Sequence, residues 1–466
     1  RDSIMTKSAE KLYMSYAVKN SEGAALMPSY IIRSMRKMFS HCLKLSYKDT
    51  AQQNSYVTIP RAANSFDNTE IAANVGEDII DSLTGGRLVG SVTSFENFAE
   101  CPLRYYLRYG VDLKEREEFT FSPVNFGVVL HAVIREVCDE IKKNGESYYL
   151  ISEEKRREMV KRSVAAITDI YQNSILKDSS RNSFMIKRME DLADRTVWAM
   201  GEQLKCGDFV PFVFEHKFNM EVGDGDRKQL MSGTIDRVDI CENGTDVYVR
   251  IIDYKTGKKD FNIVKTYYGI DIQLMVYMEA TMKLVAKMRP GKNVIPAGVF
   301  YYNISDPIVS ATTESAEEIE DKIKGELRLK GMVNSDKDIA EKMDNTGGTS
   351  LNIPVSRKAD GGFDSRRSKV MNTEQFNMLG RFVDVRAVDT ADRIAGGDIR
   401  RSPYKDGQFS SCDICPYGAV CGFSVDLPGC NYRKLKKFDD EVLWNNIKEG
   451  VDENGKKMDT GAEERD

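Results

Sequence analysis

Short apolar runs interrupted by polar residues mark four stretches in the middle of the chain, and they predict β-strands. The strands are predicted at residues 211–219, 230–240, 247–254 and 296–302. The dipeptide Asn243-Gly244 separates the second stretch from the third, and this pair is typical of a tight β-hairpin. The fourth run is almost wholly apolar, which is typical of a buried strand.

Helical periodicity, with apolar residues three or four positions apart, surrounds these strands. Helices are predicted from an N-cap at Ser94 to Arg108 and over residues 124–143, 151–206, 268–287 and 312–400, the last with a polar insert at 345–369. The order of helix, three strands, helix and strand predicts a mixed sheet flanked by helices, in an α/β or α+β layout.

Shifts in composition divide the chain into three parts. Residues 52–90 are polar and contain a Thr-Gly-Gly turn, so we expect a first domain over residues 1–85 and a second over 86–435. Residues 436–466 are acidic and poor in apolar side chains, and we expect this tail to be disordered.

The overall composition excludes several classes of protein. The chain has 466 residues, of which 41% are hydrophobic and 30% charged, as in soluble globular proteins. It has no run of 18 apolar residues, so no membrane-spanning helix is expected. A net charge of −5 argues against a basic surface over the whole protein but leaves room for a local basic channel. The chain begins with Arg1 and not with Met, so we expect it to be part of a longer protein.

Candidate chemistry lies at the end of the third predicted strand, in the run I-I-D-Y-K-T-G that ends at Gly257. Side chains alternate along a strand, so Asp253 and Lys255 should share one face. A carboxylate and an ammonium group at a strand end can hold a metal ion and a water molecule for phosphodiester hydrolysis. A lone D-x-K triplet is also common as a surface ion pair, so the neighbouring residues decide between these interpretations.

Further candidates follow one another in an ordered series along the chain. They are His131 on a predicted helix, Glu215 and Asp236 on the two preceding strands, and Gln273 and Tyr277 one helical turn apart. Carboxylates on adjacent strands suit Mg²⁺, and histidine is a minority ligand for Mg²⁺ or Mn²⁺. Each residue alone is more often structural, but chance produces the whole series much less readily.

This series resembles the RecB-type branch of the PD-(D/E)XK nucleases. The resemblance implies a restriction-endonuclease-like fold and metal-dependent hydrolysis of DNA. Its metal ligands would be His131, Asp236 and Asp253. Its other catalytic candidates would be Lys255, Gln273, Tyr277 and Glu215. In this family the lysine positions or activates the attacking water, beside an ion of Mg²⁺ or Mn²⁺.

Three of the nine cysteines form a C-x2-C-x5-C motif, at Cys412, Cys415 and Cys421. A fourth ligand would complete the site, and Cys430 and the distant Cys101 are the candidates. Structural zinc and an iron–sulfur cluster both accept four thiolates, and spacing alone does not separate them. Because the chain has no secretory features, reduced cytosolic thiols are expected.

The late cysteines, together with a Cys-Pro segment before the nuclease core, resemble the nucleases that close their domain with an iron–sulfur staple. This resemblance implies one 4Fe–4S cluster bound by Cys101, Cys412, Cys415 and Cys421.

The segment T-K-S-A-E-K-L-Y, which starts at Thr6, resembles the last motif of UvrD/RecB helicases, T-R-A-R-E-K-L-Y. Lys7 and Ala9 replace its two arginines, one of which contacts the γ-phosphate of ATP in that family. The resemblance therefore implies that residues 1–85 are the end of a degenerate helicase domain. A chance match in a strand is the alternative.

Taken together, these segments resemble the AddB-type family of the AddAB helicase–nucleases. That family implies a heterodimer with an AddA-like subunit in the bacterial cytoplasm. It also implies binding to duplex ends and single strands, and degradation of the 5′-ended strand during recombinational repair. The alternatives are a stand-alone iron–sulfur exonuclease and an inactivated nuclease fold that serves as a DNA-binding scaffold. The presence of Asp236, Asp253 and Lys255 argues against a scaffold.

Overall fold

A computed structural model describes most of the chain after residue 88 and two short pieces before it. The described residues are 74–76, 79–80, 89–114, 123–170, 180–222, 229–310, 314–425 and 430–463. The chain divides into two units, residues 1–67 and 68–466, and every described residue belongs to the second unit. The helicase-like segment at Thr6 lies outside the described residues, and the predicted domain boundary at residue 85 stays a prediction.

A mixed sheet of seven strands forms the centre of the described part of the chain. The strands are β1 (Val89–Ser91), β2 (Val210–Val222), β3 (Gln229–Asn243), β4 (Asp246–Lys255), β5 (Asn293–Asn303), β6 (Lys330–Asn334) and β7 (Val370–Met371). Their order is β1-β3-β4-β5-β6-β7, with β2 paired to β3. The β2–β3, β3–β4 and β5–β6 pairs are antiparallel, whereas β1–β3, β4–β5 and β6–β7 are parallel. This mixed sheet confirms the predicted fold class.

The β3–β4 hairpin carries the two central acidic positions. Gly244 turns the chain with a φ of +59°, which a residue without a side chain adopts readily, so the predicted hairpin is confirmed. The register pairs Arg237 with Ile252. Asp236 at the end of this ladder therefore comes next to the last residues of β4.

Helices cover both faces of the sheet. On one face lie α3 (Pro123–Lys143), α4 (Glu153–Ile170) and α5 (Ser180–Lys205), in a core that includes Ile252 and Tyr254. On the other face lie α1 (Val92–Glu100), α7 (Gln273–Met288), α10 (Thr373–Ala395) and α12 (Asp440–Glu463), in a core that includes Val249 and Ile251. Because each face of the sheet has its own core, β4 is buried from Val247 to Tyr254 and is mostly apolar. Within the described chain, no helix combines the length and the apolar character that crossing a membrane requires.

Several predicted helices differ from the structure at their bounds. The helix predicted from 268 begins at Gln273, because the short helix α6 (Ile263–Tyr267) ends in a turn where Gly269 has a φ of +76°. The single helix predicted over 151–206 is two helices, α4 and α5, around residues 171–179, which lie outside the described part. The N-cap predicted at Ser94 is wrong, since the Ser91 side chain accepts from the Ser94 N–H and α1 begins at Val92.

The helical region predicted over 312–400 also contains strands. It holds α8 (Ala316–Glu326), β6, α9 (Lys337–Met343), β7 and α10. The predicted polar insert at 345–369 has no helix. The strands β6 and β7 have five and two residues, too few to show a periodicity, and pairing with the main sheet defines them.

The cysteine-rich segments lie beside α1. Cys101 is followed by the helix α2 (Pro102–Tyr105) and by one turn of π-helix over Tyr106–Gly110. Downstream, β8 (Tyr404–Asp406), β9 (Phe409–Ser410) and β10 (Arg433–Lys434) form a small sheet in the order β10-β8-β9, and α11 (Gly418–Cys421) ends at the last cysteine of the motif.

The disordered tail predicted from residue 436 is wrong for residues 440–463, which form α12. Leu443 and Ile447 are buried where α12 packs on α10, with relative exposures of 3% and 0%. Gly450 also lies against the Phe382 ring, since a Cβ there would come within 2.7 Å of it. Apolar residues are few in this tail, but Leu443 and Ile447 lie on the face that meets α10.

Replacing Ile447 with Ala should lower the free energy of unfolding by about 2–5 kcal/mol, because the change leaves a cavity in the core. Val442 is 47% exposed on the same helix and is the matched control. Its replacement with Ala should change stability by less than about 0.5 kcal/mol. Urea unfolding of both variants measures the difference, and equal effects would contradict the docking of α12.

Candidate active site

The last residues of β4 place an acid and a lysine side by side. Lys255 Nζ lies 2.5 Å from Asp253 Oδ2. Asp253 is almost completely buried, with a relative exposure of 2%, whereas the Lys255 side chain is 27% exposed. The lysine is therefore accessible to a molecule in solution, whereas its partner Asp253 is shielded from solvent. The alternation of side chains along a strand predicted this pairing.

The first turn of α7 fixes the lysine from the other side. Lys255 Nζ donates to Gln273 Oε1 at 3.0 Å, and Gln273 Nε2 donates to the Tyr277 hydroxyl at 2.9 Å. Gln273 and Tyr277 are both buried. Their spacing of one helical turn brings them onto one face of the helix, as the sequence predicts. Lys255 is thus held between a strand residue and a helix residue.

A second group of ligand atoms gathers where α3, β2 and β3 meet. His131 Nδ1 lies 3.4 Å from Asp236 Oδ1 and 3.8 Å from Glu215 Oε1. These three residues offer ligand atoms that all lie within 4.8 Å of one another. The other oxygen of Asp236, Oδ2, accepts a hydrogen bond of 2.6 Å from the Tyr254 N–H. Asp236 is therefore oriented by β4, with Oδ1 turned towards the histidine.

Glu215 has an unusual backbone conformation. Its φ is +48°, in the left-handed region that residues with a side chain rarely adopt. It lies between the paired positions Phe214↔Arg237 and His216↔Ile235, and so faces Asp236 across the ladder. Strain of this kind costs about 1–3 kcal/mol and is concentrated at functional sites. The structure thus brings the Glu215 carboxylate next to His131 and Asp236, the residues with which the sequence grouped it.

Negative charge is crowded at this site. Burial and the charge of Asp236 raise the pKa of Asp253 to about 7, although Lys255 opposes the shift. Burial and Asp236 also raise the pKa of Glu215. Burial alone would lower the pKa of His131, but Asp236, Glu215 and Asp253 outweigh it and raise the pKa. The site therefore favours a positive charge at its centre.

The arginines nearest to these acids on β3 and β4, Arg237 and Arg250, form ion pairs with a different carboxylate, that of Asp239. Arg237 follows Asp236 in sequence, but its guanidinium pairs with Asp239, with Nη2 2.6 Å from Asp239 Oδ2. Arg250 pairs with the same carboxylate at 2.8 Å. The strand-end ion pair between Asp236 and Arg237, which would be the ordinary structural interpretation, does not form.

The donor set fits a hard divalent cation. It consists of carboxylate oxygens from Asp236 and Glu215 and one imidazole nitrogen from His131. Asp253 is not one of these three residues, but its charge interacts with that of Asp236. The Oδ2 atom of Asp253 is buried and accepts no hydrogen bond of regular geometry from the described residues, although it lies within ion-pair distance of Lys255. Mg²⁺ and Mn²⁺ prefer oxygen ligands and accept a minority nitrogen. The residues can therefore hold one such ion.

Glu96 borders the site, and the sequence pattern does not reveal it. This partly buried residue of α1 accepts two backbone hydrogen bonds through Oε1, from Ile272 N at 2.9 Å and from Gln273 N at 3.0 Å. Burial raises its pKa to about 7 despite the nearby Lys259. The sequence predicts the start of this helix at residue 268, and so offers no reason to look for a cap beside Ile272. Ile272 cannot cap a helix with its side chain, and only the structure shows which residue supplies the cap.

Four of the cysteines meet at one pocket. Cys101, Cys412, Cys415 and Cys421 line it, and Cys430 is not among its lining residues. Burial, together with the neighbouring thiols, raises the pKa of Cys412 to about 11, so the free thiolate is disfavoured without a compensating cation.

Two arginines also line the cysteine pocket. They are Arg104 and Arg401, and the Nε–H group of each is buried without an acceptor among the described residues. Unpaired donors beside four thiols fit a site that holds a negatively charged metal–thiolate group.

The chain matches the PD-(D/E)XK nuclease superfamily over residues 90–422. It is 31% identical over 99% of its length to the B subunit of the ATP-dependent helicase/deoxyribonuclease of Caldanaerobacter subterraneus subsp. tengcongensis. It is 30% identical over 97% of its length to the protein of that name from Clostridium acetobutylicum, and 29% identical over 99% to that from Lachnoclostridium phytofermentans. The chain spans 44% of the length of each of these curated relatives.

A metal ion should stabilise this protein more at about pH 8 than at about pH 6, because at the lower pH it must displace protons from the site. The sign follows from the raised pKa of Asp253, which keeps a proton on the folded protein below about pH 7. The measurement is the rise in melting temperature on adding Mn²⁺ at each pH. The rise at pH 8 should exceed the rise at pH 6 by less in Asp253→Asn than in the parent protein. Equal rises at the two pH values in the parent protein would contradict the proposed metal site.

Proposed function

The chain belongs to the PD-(D/E)XK nuclease superfamily, and on this premise we propose that it is a metal-dependent DNA exonuclease, the nuclease part of an AddB-like subunit of a helicase–nuclease. One observation carries the proposal. Ligand atoms of His131, Glu215 and Asp236 lie together. Asp253, whose charge interacts with that of Asp236, pairs with a lysine that the fold holds in place and leaves partly exposed.

His131, Asp236 and Asp253 would hold the divalent ion, and the closeness of Glu215 to His131 and Asp236 supports Glu215 as a further ligand. When bound, the ion would lower the pKa of a water molecule and polarise a phosphoryl oxygen. The backbone N–H of Tyr254 keeps one oxygen of Asp236 fixed, so the other stays available. The protein thereby pre-organises its ligands before the substrate arrives.

Lys255 would act on the attacking water or on the developing charge at phosphorus. The ammonium group of Lys255 is held by an ion pair with Asp253 and by a hydrogen bond to Gln273. An ammonium group carries three N–H donors, so it can also donate to the nucleophile or to a non-bridging oxygen. Such a donor stabilises the transition state more than the ground state when it is fixed in advance.

Replacing Asp253 with Asn should reduce Mg²⁺-dependent cleavage of single-stranded DNA by about 10²–10³-fold, because it removes the charge that would bind the ion and that pairs with Lys255, both of which stabilise developing charge. The matched control is Asp246→Asn at the opposite end of the same strand, where the side chain accepts from Asn293. The control should keep the parent rate. Equal rates in the parent protein and in Asp253→Asn would refute the assignment.

The four cysteines would hold one 4Fe–4S cluster. The pocket of Cys101, Cys412, Cys415 and Cys421 supports this proposal, together with the Nε–H groups of Arg104 and Arg401, which have no acceptor among the described residues. Thiolate ligands of this number also suit structural zinc. A cluster there would join α1 to the segment after β9 and fasten the two ends of the nuclease domain.

Replacing Cys415 with Ser should remove the bound iron and the visible absorbance from protein purified without oxygen. Cys430 is buried but does not line the pocket, so Cys430→Ser is the matched control and should keep both. Iron and sulfide analysis of the parent protein and the two variants decides the matter. A colourless parent protein that contains zinc would contradict the cluster, and loss of iron in Cys430→Ser would contradict the ligand set.

The names of the relatives support a larger assembly. Each relative is named as one subunit of an ATP-dependent helicase/deoxyribonuclease, which supports a heterodimer with an AddA-like subunit that unwinds DNA. In such an assembly this domain would degrade the 5′-ended strand during repair of double-strand breaks by recombination. Cleavage without any partner would favour the stand-alone exonuclease instead.

A further inference from the structure

The helix that carries Gln273 begins without a cap of its own. Its N-cap residue is Ile272, which makes no side-chain hydrogen bond to the first turn. The first N–H groups of any helix lack partners within the helix, and a buried helix start needs an acceptor from elsewhere. Gln273 is the first residue of α7 and is itself buried. The position of its backbone therefore depends on an outside group.

Glu96 of α1 is that group. A single oxygen, Oε1, accepts from the N–H groups of both Ile272 and Gln273 at 2.9 and 3.0 Å. A carboxylate at this end also interacts favourably with the helix dipole. The two helices are far apart in sequence, so the cap exists only in the folded protein.

The other contacts of α1 hold Glu96 firmly. Phe95 and Phe98 are buried in the protein, with exposures of 2% and 1%. At the end of the helix, Ser411 Oγ donates to the Glu100 carbonyl at 3.4 Å and Leu103 N donates to the Arg400 carbonyl at 3.3 Å. The helix is therefore anchored both to the core and to the cysteine-rich segment.

We propose that Glu96 is a positioning residue for Lys255, acting through Gln273. The carboxylate fixes the backbone of Gln273, the Gln273 side chain fixes Lys255 Nζ, and Lys255 serves the reaction. This inference rests on the proposed nuclease function of the same site. Glu96 is not one of the residues proposed to hold the ion, so its loss should spare metal binding.

The test compares Glu96→Leu, which removes the acceptor, with Glu96→Gln, which keeps an acceptor oxygen at the same distance. In cleavage of single-stranded DNA by the full chain with Mn²⁺, Glu96→Leu should lower kcat by about 10²-fold, the effect expected for a displacement of about 1 Å at a catalytic group. Glu96→Gln should stay within about threefold of the parent protein, with KM for DNA unchanged in both. The Kd for Mn²⁺, measured by calorimetry, should be the same in all three proteins.

The matched control is Ser315→Ala, which removes the N-cap of α8, a helix none of whose residues forms part of the site. It should lower the melting temperature and leave kcat unchanged, and so separate a loss of stability from a loss of positioning. If Glu96→Leu does not fold, Glu96→Asp takes its place, since the carboxylate is then one methylene too short to reach both N–H groups.

A kcat close to that of the parent protein in Glu96→Leu or Glu96→Asp would overturn the positioning role, as would a loss of kcat that follows the loss of Mn²⁺ affinity. Asp253→Asn, assayed in parallel, separates this failure from a failure of the proposed function. An inactive Asp253→Asn beside a fully active Glu96→Leu overturns the positioning role alone. An active Asp253→Asn overturns both.

Discussion

Repulsion between carboxylates at the ends of β3 and β4 is the constraint around which this structure is organised. Asp236 and Asp253 lie close together and are almost fully buried, and Glu215 joins them with a strained backbone. Burial, and after it the charge of Asp236, raises the pKa of Asp253 to about 7. The adjacent arginines on β3 and β4 are turned away and share Asp239. The fold therefore keeps a negatively charged centre whose natural partner is a divalent ion.

The elements around this centre restrict how its parts can move. The hairpin register and the Tyr254 N–H fix Asp236, and the first turn of α7 fixes Lys255 through Gln273. The helix α1 reaches from this turn, at Glu96, to the cysteine pocket, where Cys101 forms its C-cap. One short helix thus joins the candidate active site to the proposed cluster site, although their residues are far apart in sequence.

The sequence predicted the parts of this fold that depend on local rules. The strands, the hairpin at Asn243-Gly244 and the pairing of Asp253 with Lys255 follow from alternation and turn chemistry, which act within a few residues. The short strands β6 and β7 could not be predicted in this way, because partners elsewhere in the sheet define them. The helix α12 was missed because its few apolar residues become buried only against α10. The candidate site was likewise predicted only in part. The order of the motifs identified the residues around Lys255, and their roles stay proposals. The contact of Glu96 with the start of α7 could not be predicted, because only the tertiary structure brings these two helices together.

The most direct test of the proposed active site is the position of Mn²⁺ in crystals of the protein, located by anomalous X-ray scattering. We predict one strong peak among Asp236, Asp253, His131 and Glu215, with carboxylate oxygens at about 2–2.3 Å from the ion. Manganese bound elsewhere, or no peak between these carboxylates at a saturating concentration, would contradict the proposed site.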